Sequence, residues 1–148
     1  MRRRVDRQCK CGATISWCAN VCGDCSSRRY FHSRYLSGAQ FAQGQVAKAR
    51  REGVLTDPRA FPCTDCQGNA TEYDHRDYNK PLEVEPVCRG CNIRRGRAIP
   101  KQWRPGEWAA YLERVARINW PGQRRVLELY EHFAHELPPI FREQARPQ

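Results

Sequence analysis

The spacing of the cysteines constrains this chain more than any other feature. Cys63, Cys66, Cys88 and Cys91 form two C-x2-C knuckles separated by 21 residues. Two such knuckles can bring four thiolates to the corners of a tetrahedron, the arrangement Zn2+ takes in structural sites. Gly68 follows the first knuckle and Gly90 lies inside the second, and both supply turn chemistry. An earlier segment, QCKCGATISWCANVCGDC, offers five Cys for four places. The economical set is Cys9 and Cys11 with Cys22 and Cys25, a C-x-C-G knuckle and a C-x2-C knuckle ten residues apart. Cys18 is then left over, and His32 is an alternative ligand. Four thiolates with no open position make a closed structural centre, so two structural zinc ions are expected and neither is expected to be catalytic.

Disulfides are the competing use of these cysteines, and they belong to oxidising compartments. The charged start, Met1 to Arg4, is followed by VDRQCKCG and not by the apolar core of an export signal. A cytoplasmic, reducing location is therefore expected, and the odd total of nine Cys agrees with it. No apolar stretch reaches the roughly 20 residues that span a bilayer, so no membrane partner is expected.

Composition explains why metal matters here. Leu, Ile, Val and Phe together make 25 of 148 residues, and the formal charge is +10. A chain so poor in core formers and so charged falls where disorder is common. Each structural zinc can contribute about 10 to 16 kcal/mol of apparent binding free energy to a small module, enough to offset a weak core.

The charge is uneven and marks segments. Residues 1 to 60 carry 12 Lys+Arg against 4 Asp+Glu, residues 61 to 105 carry 8 against 6, and residues 106 to 148 carry 6 against 6. The expected organisation is small α+β. It comprises an N-terminal four-cysteine zinc ribbon over 1–35, a connecting basic helix over 36–56, a second four-cysteine zinc module over 57–104, and a C-terminal helical hairpin with its tail over 105–148. Ala39, Ala42, Val46 and Ala49 recur at helical spacing, and Gly53 suits the stop. Trp108, Tyr111, Leu112, Val115 and Ile118 form a second stripe. Val126, Leu127, Tyr130, Phe133, Ala134 and Leu137 form a third, ended by Pro138 and Pro139, beyond which the tail is expected to fray. The last two stripes are expected to pair as a hairpin, and their neutral surface offers a docking face for a protein partner.

The basic residues read as a nucleic-acid contact surface: Arg2, Arg3, Arg4, Arg28, Arg29, Lys48, Arg50, Arg51, Arg94, Arg95, Arg97 and Lys101. Trp103, set among Arg97, Lys101 and Arg104, is a candidate stacking group whose alternative is packing against the C-terminal hairpin. Between Cys66 and Cys88, the segment QGNATEYDHRDYNKPLEVEPV concentrates Asp74, His75, Asp77 and Asn79. A His flanked by carboxylates can serve as a general base, and carboxylates are natural ligands for Mg2+ or Mn2+. On an extended strand His75 and Asp77 share one face and Asp74 takes the other, so the choice of ligand depends on where the strand ends. The alternative is a loop whose acids pair with neighbouring arginines.

The order CTDC, YDH, VEPVCRGCNIRRG resembles the zinc-ribbon subgroup of HNH endonucleases, including its phage-type proteins. The resemblance covers roughly residues 61 to 100. It implies a ββα-metal fold in which His75 is the general base and Asp74 and Asn92 hold the catalytic Mg2+, Mn2+ or other divalent ion; Asp77 stays the alternative ligand on the strand reading alone. It also implies nucleic acid as the partner, DNA in preference to RNA, with IRRGR tracking the phosphate backbone. Two departures stand out. Glu83 occupies the place of the family's middle Asn, with Asn79 four residues early, and only 12 residues separate His75 from Cys88. Two functions follow from the same fold: a metal-dependent endonuclease acting on DNA phosphodiesters, and an inactive DNA- or RNA-binding regulator or adaptor.

Overall fold

The computed structural model describes residues 7–16, 19–117 and 121–142. Arg2, Arg3, Arg4, Cys18 and Ile118 lie outside the described residues. The fold is small α+β, with two short antiparallel hairpins and six α-helices among the described residues. It divides into two compact units, one made of Met1–Ser33 with Pro105–Gln148 and the other of Arg34–Arg104. The boundary falls in a π-helical turn, His32–Leu36.

In the first unit, β1 (Arg7–Gln8) pairs with β2 (Thr14–Ile15), and α1 (Gly23–Phe31) follows. The second knuckle of the N-terminal cysteine set is therefore carried by a helix, which a ribbon built of strands alone lacks. Cys22 is the N-cap of α1 and its Sγ accepts from the Cys25 backbone N–H, so the knuckle also supplies the helix with its first capping bond. The same unit contains α4 (Glu107–Arg117), α5 (Pro121–Phe133) and α6 (Pro139–Arg142). The expected stripe of α4 is its inner face: Trp108, Tyr111, Leu112 and Val115 are all buried. The helices pair as expected, with Trp108 against Tyr130 at 6.2 Å between ring centroids. They also enclose α1, whose Phe31 is fully buried against Trp108 and Phe133. Past Pro139 the chain forms α6 where fraying was expected. Phe141 meets Trp108 edge to face, and its carbonyl accepts the Tyr130 hydroxyl at 2.7 Å.

The second unit begins with α2 (Ala39–Arg51), which buries the expected residues Ala39, Ala42, Val46 and Ala49. Small side chains on that face allow close approach, and Gly38 at the N-cap sits at φ 84°, a conformation that favours glycine. A short 3-10 turn, Pro58–Ala60, leads to the first cysteine knuckle. Then come β3 (Glu72–His75), β4 (Val84–Val87) and α3 (Arg89–Arg95). The β3–β4 register sets Glu72 opposite Val87, Tyr73 opposite Pro86, Asp74 opposite Glu85 and His75 opposite Val84. Cys63, Val87 and Cys91 form the buried heart of this ββα arrangement. Trp103 packs within this unit. It is buried against Phe41 of α2, edge to face at 5.7 Å, and its indole N–H donates to the Leu36 carbonyl at 2.7 Å.

Candidate metal centres and the carboxylate cluster

The two expected cysteine sets assemble. The sulfurs of Cys9, Cys11, Cys22 and Cys25 all lie within 4.8 Å of one another, and so do those of Cys63, Cys66, Cys88 and Cys91. The Cys11–Cys22 sulfurs are 3.5 Å apart and the Cys66–Cys88 sulfurs 3.8 Å apart, far beyond the disulfide length of about 2.05 Å. With metal–sulfur bonds of about 2.3 Å, a tetrahedral tetrathiolate has S···S edges of about 3.8 Å. Each set can therefore hold a metal ion. His32 is exposed beside Phe31 and is not part of either set.

Backbone N–H groups prepare both centres for thiolate. Cys88 repeats the device of Cys22, capping α3 and accepting from the Cys91 N–H at 3.4 Å. Amide donors, from Cys11 and Cys22 in one centre and chiefly from Cys88 in the other, pull the Cys9 and Cys63 thiols down to about 6. Cys25 is pushed up to about 12, chiefly by hydrogen bonding with Cys22. Cys91 reaches about 12 through burial and the neighbouring thiols. Arg94 lays Nη2 on Cys91 Sγ at 2.9 Å, a charge-assisted contact that favours the thiolate.

The acidic segment between the knuckles takes a form the spacing alone leaves open. β3 ends at His75, so Asp77 falls in the turn beyond it. There its Oδ1 accepts from the Asn79 backbone N–H at 2.8 Å and from Asn79 Nδ2 at 2.7 Å. Those two bonds hold the Asp77 carboxyl below its usual range. Asn79 also donates to the Pro100 carbonyl at 3.1 Å and accepts from the Gln102 N–H at 2.7 Å. Asn79 thus pins the turn to the segment after α3. Glu83, at the position of the resemblance's middle Asn, is exposed and pairs with Lys80 at 3.0 Å.

Asp74 and His75 are the buried polar residues of the described core, at 5% and 7% exposure. Burial lowers the proton affinity of His75, and the carbonyls of Pro81 and Ala42 both reach its ring, Pro81 at 3.2 Å from Nε2. Asp74 Oδ2 receives Arg95 Nη1 at 2.9 Å and lies 2.8 Å from Arg76 Nε, an ion pair without hydrogen-bond alignment. Arg95 also forks onto Asp65 through Nε and Nη2, and its Nη1 donates to Glu85. Arg76 uses Nη1 and Nη2 to cap the end of α3, on the carbonyls of Arg95 at 2.9 Å and Gly96 at 3.2 Å. Asn92 is half-buried on α3, one turn before Arg95. Asp74 and Glu85 of this segment are paired with arginines, and two guanidiniums stand at Asp74 Oδ2. As arranged, the residues around Asp74 do not fit a divalent cation.

The expected phosphate contacts divide in the same way. Arg29, Lys48, Arg50, Arg51, Arg94 and Arg97 are exposed. Arg50 is committed to Asp57 at 2.6 Å, and Arg28 pairs with Glu136 at 2.9 Å while lying over the Phe133 ring. Lys101 Nζ sits over the rings of Phe41 and Trp103, 5.1 and 5.2 Å from their centroids. The alternative reading, acids paired with neighbouring arginines, holds for Asp74 and Glu85, although sequence reasoning did not single out Arg95 and Arg76 as the clamps. The available signal was an acid-rich stretch closed by an Arg cluster, which leaves the partners unassigned. No helix among the described residues is long and apolar enough to cross a membrane. No protein-family model, curated protein or solved structure matches the chain.

Proposed function

We propose that this is a zinc-binding, nucleic-acid-binding protein of the HNH-like class that holds DNA, in preference to RNA, without cutting it. Zinc is the ion best suited to two closed all-thiolate sets with these sulfur spacings. The observation that carries the binding reading is a division among the arginines of one segment. Arg95 is spent inward on Asp65, Asp74 and Glu85 and Arg94 rests on Cys91, while Arg89 and Arg97 face solvent. Exposed guanidiniums on and just beyond a metal-anchored helix can meet phosphates, and Lys48 and Arg51 of α2 add to the basic surface. A base needs a free lone pair and an approach for water, whereas His75 is buried between carbonyls.

The test measures binding and cleavage on the same preparation. Anisotropy of labelled duplex DNA, single-stranded DNA and RNA, titrated at rising salt, is expected to show binding that weakens steeply, because counterion release gains less free energy as salt rises. Plasmid, single-stranded DNA and RNA incubated with Mg2+, Mn2+ or Ni2+ are expected to remain intact. Nicking that His75→Ala abolishes would replace this reading with the endonuclease one. Absent or salt-insensitive binding would remove both.

A further inference from the structure

Asp74 and Glu85 stand directly opposite each other in the β3–β4 register, so two carboxylates share one face of a two-stranded sheet. Like charges in that position repel. Asp65, from the first cysteine knuckle, brings a third carboxylate to the same place. Such a convergence of oxygens ordinarily calls for a cation, and a cation is present in the chain itself. The Arg95 side chain, 14% exposed, enters the cluster and spends four of its five N–H donors there. Nε and Nη2 form a fork onto Asp65, while the two hydrogens of Nη1 go to Asp74 at 2.9 Å and Glu85 at 2.5 Å. The buried carboxylate, Asp74, is also approached by Arg76 at 2.8 Å.

We infer that the Arg95 guanidinium is the resident cation of this ββα unit, filling the place among Asp65, Asp74 and Glu85 that a divalent ion would otherwise take. This rests on the reading of the module as a binder that does not cut, and it supplies the physical reason. A planar, permanent monocation offsets part of the cluster's charge and fastens α3 to both strands, but it offers no open coordination position and no Lewis acidity. A divalent ion approaching Asp74 would have to displace a guanidinium that holds three carboxylates at once. Removing the Arg95 side chain should expose the oxygens and convert the cluster into a cation site.

The probe is Mn2+ alone, added to the zinc-loaded full chain. In the wild type, paramagnetic broadening of the His75 ring signals by NMR is expected to be absent. In Arg95→Gln, verified to retain both structural metal ions by native mass spectrometry, Mn2+ is expected to bind at least about tenfold more tightly, by calorimetry and by broadening at His75. The double variant Arg95→Gln with Asp74→Asn should return to wild-type behaviour. Selective broadening of His75 in the wild type would overturn the inference, as would a folded Arg95→Gln that binds no Mn2+ or a double variant that still binds it. If Arg95→Gln does not fold, the wild-type spectrum decides alone. Nucleic-acid binding is read separately by anisotropy, so failure of the binding proposal and failure of the resident-cation proposal give different results.

Discussion

Phe31 lies on Phe133 with ring centroids 6.2 Å apart and planes inclined by 28°, joining the last residue of α1 to the last residue of α5. Both side chains are essentially fully buried. This contact links the N-terminal cysteine module to the C-terminal helices within one folded unit. Phe31→Ala is expected to cost about 3 to 5 kcal/mol through lost burial and the cavity left behind. Urea unfolding of the metal-loaded protein should show the loss in the transition reported by Trp108, which touches Phe31. An unchanged midpoint would remove Phe31 from the core.

Each cysteine set should hold its ion independently. Native mass spectrometry is expected to find two zinc ions in the wild type and one in either Cys22→Ser or Cys88→Ser. These two positions each combine a ligand with the N-cap of a helix, so helical signal by circular dichroism should fall with the ion. A wild type carrying no metal would contradict the reading of both centres.

Gly38 is predicted to tolerate no side chain. Its φ of 84° disfavours an L-residue by roughly 1 to 2 kcal/mol. A Cβ there would also lie 2.4 Å from Lys101 Cβ, and overpacking of that kind typically costs about 1 to 3 kcal/mol. Gly38→Ala should therefore lower the urea midpoint of the second unit far more than Gly44→Ala, whose added Cβ meets nothing within 4 Å.

His75 should titrate below its ordinary 6.5, because burial disfavours the imidazolium. Its folded value lies below the unfolded one, so the unfolded chain takes up the proton first. The stabilisation from neutral His75 is full above pH 6.5 and is lost as the pH falls toward the folded value. Ring NMR gives the midpoint directly. Urea midpoints compared at about pH 7.5 and about pH 5.5 should fall more on acidification for the wild type than for His75→Gln. Equal falls would show that His75 carries no such linkage.

Arginine and lysine positions near α3 should separate by assay. Arg97→Ala is expected to weaken DNA binding across sequences and reduce the salt slope by about one. Lys101→Ala should leave the slope nearly unchanged and lower stability by about 0.5 to 1 kcal/mol, since its ammonium sits over Phe41 and Trp103. The reverse pattern would place the contact surface around Lys101 instead.

Much of the local structure was legible in the sequence because its signals are local. The knuckle spacing identified the eight cysteines that assemble into two sets, whatever the path between them. The small-residue stripe of α2 and the aromatic stripe of α4 named buried faces through helical periodicity alone. The knuckle helices were less visible. Thiol spacing sets which sulfurs meet, but the backbone that follows depends on Cys22 and Cys88 each accepting an amide hydrogen and starting a helix.

By itself, the sequence determined that this chain is organised around two tetracysteine sets, a basic first part and an apolar C-terminal helix pair. Tertiary structure alone decided that α1 shares a core with α5 and that Asp74 faces Glu85. It also decided that Arg95 comes between those acids and Asp65. The reason lies in sequence separation. Periodicity and knuckle spacing are properties of neighbouring residues, whereas the charge environment of Asp74 is made by residues 65, 76, 85 and 95, which meet only after the strands have taken their register and α3 has docked.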